Sequence, residues 1–231
     1  TDACDQRCKH CYIFAENNCK KLTEMTWEKM RQVVFSCEEM CEKIGRTPYF
    51  YITGGDPILH KDFWKLAELL KEKNIRWAIL GNPFHLDDKV CQKLHEHGCV
   101  KYQLSLDGMR ETHDMFRKPG SFDTTLEKID CIKNAGMYCA IMSTVSSANI
   151  GEFPQLIDLC AEKNVDVFAF GRYCPTSCLL YTSPSPRDTA LQVVRSLKNT
   201  TFCRNSIVIL WICATANLQS IKQTAVRPLF S

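Results

Sequence analysis

Between residues 26 and 170 the apolar residues switch back and forth between helical spacing and short strand-like runs. Trp27, Met30, Val33, Val34, Cys37, Met40, Cys41 and Ile44 form one helical stripe, with Thr26 placed to cap it and Gly45 to stop it. PYFYIT (48–53) then reads as a buried strand. The same alternation follows four more times. Helical stripes run over Phe63–Leu70, Val90–His97, Phe122–Ile132 and Phe153–Cys160, and Gly98 and Gly136 stop two of them. The strands after them are RWAIL (76–80), VKYQLSL (100–106), YCAIMSTV (138–145) and VDVFAF (165–170). Strands separated by single helices pair in parallel through right-handed crossovers. This predicts an α/β fold, a barrel or part of one, with its chemistry at the C-terminal strand ends. The unusual residues fall there. GGDP (Gly54, Gly55, Asp56, Pro57) follows the first strand, Asn82 the second, Asp107 the third, and Arg172 and Tyr173 the fifth.

The segment ACDQRCKHCY (3–12) precedes the first helix, where the repeat expects the end of a strand lying before Thr1. Its Cys4, Cys8 and Cys11 follow the spacing C-x3-C-x2-C, which lets three thiolates converge from one short loop. Thiolates are the standard ligands of iron–sulfur clusters. A four-iron cubane held by only three of them keeps one iron open for a substrate or cofactor. The competing ligand set is a zinc site of the three cysteines with His10. Against it, neighbouring side chains such as those of His10 and Cys11 rarely converge on one ion, and structural zinc sites usually draw on two separated knuckles. The chain has 15 cysteines, mostly inside apolar patterns rather than spread as a disulfide framework. Cys37, Cys41, Cys91, Cys99, Cys131, Cys139 and Cys160 therefore read as reduced thiols filling core or lying near the surface. A net charge of +3 leaves no footprint for nucleic acid. The longest apolar run, Ile207–Cys213, falls far short of the ~20 residues that span a bilayer. The expectation is a cytoplasmic protein without a nucleic-acid or membrane partner.

C-x3-C-x2-C ahead of an α/β barrel, with GGDP after the next strand, resembles the radical S-adenosylmethionine (radical SAM) superfamily and its GGEP-type motif. The resemblance covers residues 1–177 and implies a partial six-stranded (β/α)6 barrel, its first strand cut off before Thr1 and its last helix lost. It implies a 4Fe-4S cluster on Cys4, Cys8 and Cys11, with S-adenosylmethionine chelating the open iron. An electron, from a flavodoxin- or ferredoxin-type donor, then cleaves the cofactor to methionine and a 5′-deoxyadenosyl radical that abstracts hydrogen from substrate. Cofactor contacts are expected from Gly54, Gly55, Asp56 and Pro57, whose carbonyls meet the methionine ammonium. Others are expected from Asn82 near the ribose and from Tyr12 beside the last cysteine. SLDGMRETHDMFRKPGSFDTTLEKI (105–129) and STVSSANIGEF (143–153) resemble the SPASM-type maturases. There a serine and an arginine twelve positions on hold the methionine carboxylate, the separation of Ser105 and Arg117 here. Strand alternation puts Gln103, Ser105 and Asp107 on one face. The subgroup implies a peptide or protein substrate, with thioether or related crosslinking of a ribosomally made peptide ahead of sulfatase activation. A radical enzyme of small metabolites and a non-catalytic zinc or cluster domain are the alternatives.

From Cys178 onward the composition shifts: no glycine, no glutamate, and one aspartate against six lysines and arginines. CLLYTSPSPRD (178–188) resembles a translated sequencing adapter residue for residue. The natural protein is therefore expected to end near Ser177, with 178–231 an artefactual, poorly structured tail, and no cysteine-rich auxiliary-cluster domain is present in the chain.

Overall fold

The computed structural model describes residues 1–11, 13 and 24–173, together with the backbone of Ile207–Leu210. Six strands form one all-parallel sheet in chain order: β1 (Phe50–Ile52), β2 (Trp77–Leu80), β3 (Cys99–Ser105), β4 (Tyr138–Val145), β5 (Val167–Arg172) and β6 (Ile207–Leu210). The helices are α1 (Trp27–Lys43), α2 (Phe63–Glu72), α3 (Asp88–Glu96), α4 (Arg110–Phe116), α5 (Ser121–Asn134) and α6 (Phe153–Glu162). A strand order that never reverses, with same-handed crossovers, lays the crossover helices on one face of the sheet, the plan of a partial (β/α)6 barrel.

Local chemistry sets the helix limits. Thr26 caps α1 by accepting the Lys29 N–H at 3.4 Å, and Asp87 caps α3 by accepting that of Val90 at 2.7 Å. Where Gly98 and Gly136 follow α3 and α5 in the left-handed region, Asn74 and Asn164 do the same after α2 and α6 at φ +54° and +52°. Asparagine tolerates that region because its short polar side chain bonds locally.

Strand alternation separates the two faces of the sheet. Tyr102, Leu104, Cys139, Ile141, Phe168 and Phe170 are buried against Ala67, Leu70, Cys91, Leu94, Ile129, Ile132, Leu156 and Cys160 in a single core. Burial pushes the thiols of Cys91, Cys99, Cys139 and Cys160 up to about 12, so these cysteines behave as small hydrophobes. The opposite face carries Leu80, Gln103 and Ser105, and its Ala78, Ala140 and Ala169 keep it open.

Two elements depart from the sequence expectations. Arg110–Phe116 forms a helix of its own, because its stripe is too short to stand out from the loop before α5. Ile207–Leu210, beyond the point where alternation was expected to stop, pairs in parallel with β5, Val167 to Ile207 through Phe170 to Leu210. A β-branched apolar run suits an open strand edge whatever its origin. Among the described residues no helix is long and apolar enough to cross a membrane.

Candidate functional site

Cys4, Cys8 and Cys11 lie on the loop before α1, above the C-terminal ends of β1 to β3. They line one cavity of about 220 Å³ with Gln6, His10, Gly54, Gly55, Asn82, Gln103, Ser105 and Arg117. Two backbone bonds bind this loop to the motif after β1: Gly55 N–H to Thr1 O at 2.9 Å and Asp56 N–H to Ala3 O at 2.7 Å. The approach is so close that a Cβ on Gly55 would strike the Ala3 carbonyl and stand 3.0 Å from Cys4 Cβ. Gly55→Ala is therefore expected to cost about 1–3 kcal/mol, the usual price of overpacking. A thermal melt measures that loss, and iron retention shows the accompanying shift of Cys4.

The thiol loop is further held from below. Asn82, 5% exposed, donates its amide to Asp5 Oδ1 at 2.9 Å and toward Cys4 Sγ at 3.5 Å, while its Oδ1 accepts the Phe84 N–H at 3.2 Å. It is thus both a turn former and part of the cavity wall. Burial pushes the Cys4 and Cys8 thiols up; at Cys8 Arg117 pulls the other way, while Cys11 and Cys4 add to the rise. Ligation of a metal displaces those protons, so loading is easier at higher pH. Among the described residues, the group of three potential ligands whose donor atoms all lie within 4.8 Å is Asp5, Asp56 and His85. The three thiols line one cavity without falling within that distance of one another. Three convergent thiols and a side-chain-free glycine wall fit a 4Fe-4S cluster and a ligand on its open iron.

Arg117 enters the cavity from the end of α4. Its Nε donates to Asp107 Oδ2 at 2.5 Å, Nη1 reaches Cys8 Sγ at 3.6 Å, and Nη2 lies 3.4 Å from His10 Nε2. Asp107, 1% exposed, also accepts the Thr144 N–H at 2.8 Å. Burial alone would raise its carboxyl, but Arg117 and then His10 hold it below the ordinary carboxylate range. Gln103 and Ser105 face the thiol cavity, as alternation predicts. Asp107, two residues past the end of β3, instead lines a neighbouring cavity of about 330 Å³ with Lys9, His10, Phe116, Thr144 and Tyr173. Its carboxylate is engaged in holding Arg117, so a direct cofactor contact from Asp107 is not what the geometry presents.

The remaining sequence candidates divide. Pro57 starts a short 3-10 turn and is buried. Asp56 is 0% exposed; burial raises its carboxyl to about 6, against lowering by His85 and by the nearby Ile58 N–H, which stops short of hydrogen-bond geometry. Arg172 ends β5, paired in register with Val145. Tyr12 lies outside the described residues.

Several site residues carry no sequence signal strong enough to find them. His113 is 0% exposed, its Nδ1 accepts the Asp107 N–H at 3.1 Å and its Nε2 meets Ser121 Oγ at 3.1 Å. Ser121 in turn accepts from Gln6 Nε2 at 3.0 Å, and the Cys8 thiol points at Gln6 Oε1 at 3.7 Å. A buried chain of polar groups thus runs from the thiol loop to the end of β3. Burial, with Arg117 adding to it, lowers His113 to about 4. An unfolded histidine titrates near 6.5, so the folded state resists protonation, and this contribution is complete above pH ~6.5 and lost toward pH ~4. It amounts to about 3 kcal/mol. The raised Asp56 carboxyl works with the opposite sign between about pH 6 and 4. The expected observation is therefore a difference: urea midpoints of wild type, compared with His113→Asn, fall more steeply as pH drops from 6.5 to 4.5.

Comparison with known proteins agrees with this geometry. The sequence pattern of the Radical SAM superfamily matches residues 1–160. The chain is 29% identical over 171 residues to Fe-coproporphyrin III synthase of Methanosarcina barkeri, covering 74% of this chain and 41% of that protein. It is 27% identical over 165 residues to mycofactocin maturase MftC of Mycolicibacterium smegmatis, covering 70% of this chain and 40% of the relative. Streptococcus suis SuiB bound to precursor peptide SuiA superposes with a TM-score of 0.67 at 16% identity, covering 90% of this chain and 47% of SuiB. The same protein bound to S-adenosylmethionine gives a TM-score of 0.68. The chain spans about two fifths of the length of these curated relatives. With the matched pattern running from the thiol loop through the first four strands and into α6, the chain belongs to the radical SAM superfamily.

Proposed function

We propose that residues 1–177 are the cofactor-binding core of a radical SAM enzyme that modifies a ribosomally made peptide. The observation that carries this reading is the meeting, in one cavity, of three thiols, the glycine pair 54–55 and the Arg117 guanidinium. In it, Cys4, Cys8 and Cys11 hold a 4Fe-4S cluster. When bound together, the cluster and S-adenosylmethionine supply a 5′-deoxyadenosyl radical able to take hydrogen from an unactivated carbon. The chain's own residues position and shield. The backbone of Gly54–Pro57 receives the methionine ammonium, because side-chain-free backbone alone can come that close. Ser105 and Arg117 take the methionine carboxylate, with Asp107 fixing the guanidinium plane against the cavity wall. His10, between the two cavities and packed edge-on to Phe116 at 5.8 Å, divides cofactor from substrate and keeps water from the boundary. The neighbouring 330 Å³ cavity is then where a substrate side chain enters.

SuiB's complex with a precursor peptide supports the peptide substrate. A second reading, modification of an iron tetrapyrrole, is favoured by the likeness to Fe-coproporphyrin III synthase. One experiment covers both. The chain is reconstituted anaerobically with iron and sulfide, reduced through a flavodoxin or ferredoxin, and given S-adenosylmethionine. A brown protein that yields 5′-deoxyadenosine supports the cluster reading, and a colourless zinc protein overturns it. Stimulation of that yield by a short precursor peptide rather than by an iron tetrapyrrole precursor of Fe-coproporphyrin III selects the first substrate class.

A further inference from the structure

Beside the thiol loop, three side chains meet that are not among those lining the thiol cavity. Asp5 comes from the thiol loop, Asp56 from the motif after β1, and His85 from the loop after β2. One donor atom from each lies within 4.8 Å of the others. Asp56 is 0% exposed, yet neither of its carboxylate oxygens has a hydrogen-bond partner. His85 Nε2 is likewise buried without one, and stands 3.6 Å from Asp5 Oδ2, beyond hydrogen-bond reach. The other Asp5 oxygen accepts the Asn82 amide at 2.9 Å, which fixes the carboxylate plane and leaves Oδ2 turned to the gap.

We propose that Asp5, Asp56 and His85 form a second, hard-donor cation site that takes a divalent first-row metal such as Mn²⁺. Two carboxylates and a neutral imidazole balance a divalent charge, and their oxygen and nitrogen donors suit such an ion rather than an iron–sulfur cluster. The buried Asp56 carboxylate without a donor is costly, and the nearby Asp5 carboxylate repels it. A metal between them removes both penalties at once. The Asn82 amide is the outer partner that a ligating carboxylate usually has. Because the three ligands come from three separate loops, the ion ties the thiol loop to the ends of β1 and β2 and so holds Cys4 in place. This makes it a clamp on the site, distinct from the thiols themselves and independent of the substrate reading.

The test is a Mn²⁺ titration of the cluster-free full chain at pH 7.5, read by electron paramagnetic resonance. One Mn²⁺ per chain is expected, with nitrogen hyperfine coupling from His85. Asp56→Asn should weaken binding at least about ten-fold, the loss of one of three ligands. Asp5→Asn, at a partly exposed position tolerant of change, should do the same without disturbing the fold, which circular dichroism checks. His85→Gln should remove the nitrogen coupling, while joint replacement of Cys4, Cys8 and Cys11 by alanine should leave Mn²⁺ binding intact. The proposal is overturned if Mn²⁺ stays free at millimolar concentration. It is equally overturned if Asp5→Asn binds as wild type does, or if the cysteine replacement abolishes the signal.

Discussion

Cys8→Ala is expected to leave a folded chain that holds no intact 4Fe-4S cluster and forms no detectable 5′-deoxyadenosine. Of the three cavity thiols, Cys8 sits deepest in the polar framework: its thiol points to Gln6 Oε1 and Arg117 Nη1 lies 3.6 Å from its sulfur. Alanine removes the ligand without disturbing the sheet, since Cys8 belongs to no helix or strand. Two thiolates cannot fix three of the cubane's irons, so iron content should fall from about four per chain toward background. Anaerobic reconstitution followed by iron analysis, the visible spectrum and product chromatography reads all of this. Cys41→Ala serves as the internal comparison. It sits buried on α1 away from the cavity and should keep full iron and product while losing some thermal stability to the gap it leaves. If Cys8→Ala retains cluster and turnover, the thiol triad is not the metal site.

Arg117→Ala is the other large effect. Arg117 and Asp107 form a nearly buried pair, their side chains 12% and 1% exposed, with Nε to Oδ2 at 2.5 Å. Removing one partner leaves the other charge buried and uncompensated, a loss of roughly 3–5 kcal/mol. The same substitution removes the guanidinium assigned to the methionine carboxylate. Two readouts separate the roles. Asp107→Asn keeps Arg117 present but slack; its stability should drop and its affinity for S-adenosylmethionine should fall moderately. Arg117→Lys keeps the charge but not the planar fork, so it should recover much of the stability and little of the cofactor affinity. Calorimetric titration of S-adenosylmethionine alongside urea unfolding measures both quantities. Equal cofactor affinity in wild type and Arg117→Ala would reduce the residue to a structural brace.

How much of this was legible beforehand differs from element to element. The YCAIMSTV strand was read to the residue, because a short apolar run ending in β-branched residues, set off from α5 by Gly136, is bounded on both sides. Helices α1, α3 and α5 were bounded well because Thr26, Gly45, Gly98 and Gly136 are local signals. α4 was missed, since seven residues give fewer than two full turns of pattern. The thiol triad was readable as a candidate from its spacing and the glycine pair from the resemblance, and the structure lines one cavity with both. His113, Gln6, Ser121 and Asp5 were not, because a single histidine, glutamine, serine or aspartate looks like any surface residue until the fold shows what it faces.

The order of strands and helices, the face each strand turns to the core, and the identity of the three thiols follow from the chain's own pattern. These depend on interactions within a few residues: helical periodicity, strand alternation, caps and short loops. The pairing of Arg117 with Asp107, the redirection of Asp107 out of the thiol cavity, the polar chain through His113, and the gathering of Asp5, Asp56 and His85 were decided only by the tertiary structure. Each joins residues from separate loops, and burial gives those contacts their strength by removing the water that would otherwise satisfy or screen every one of them.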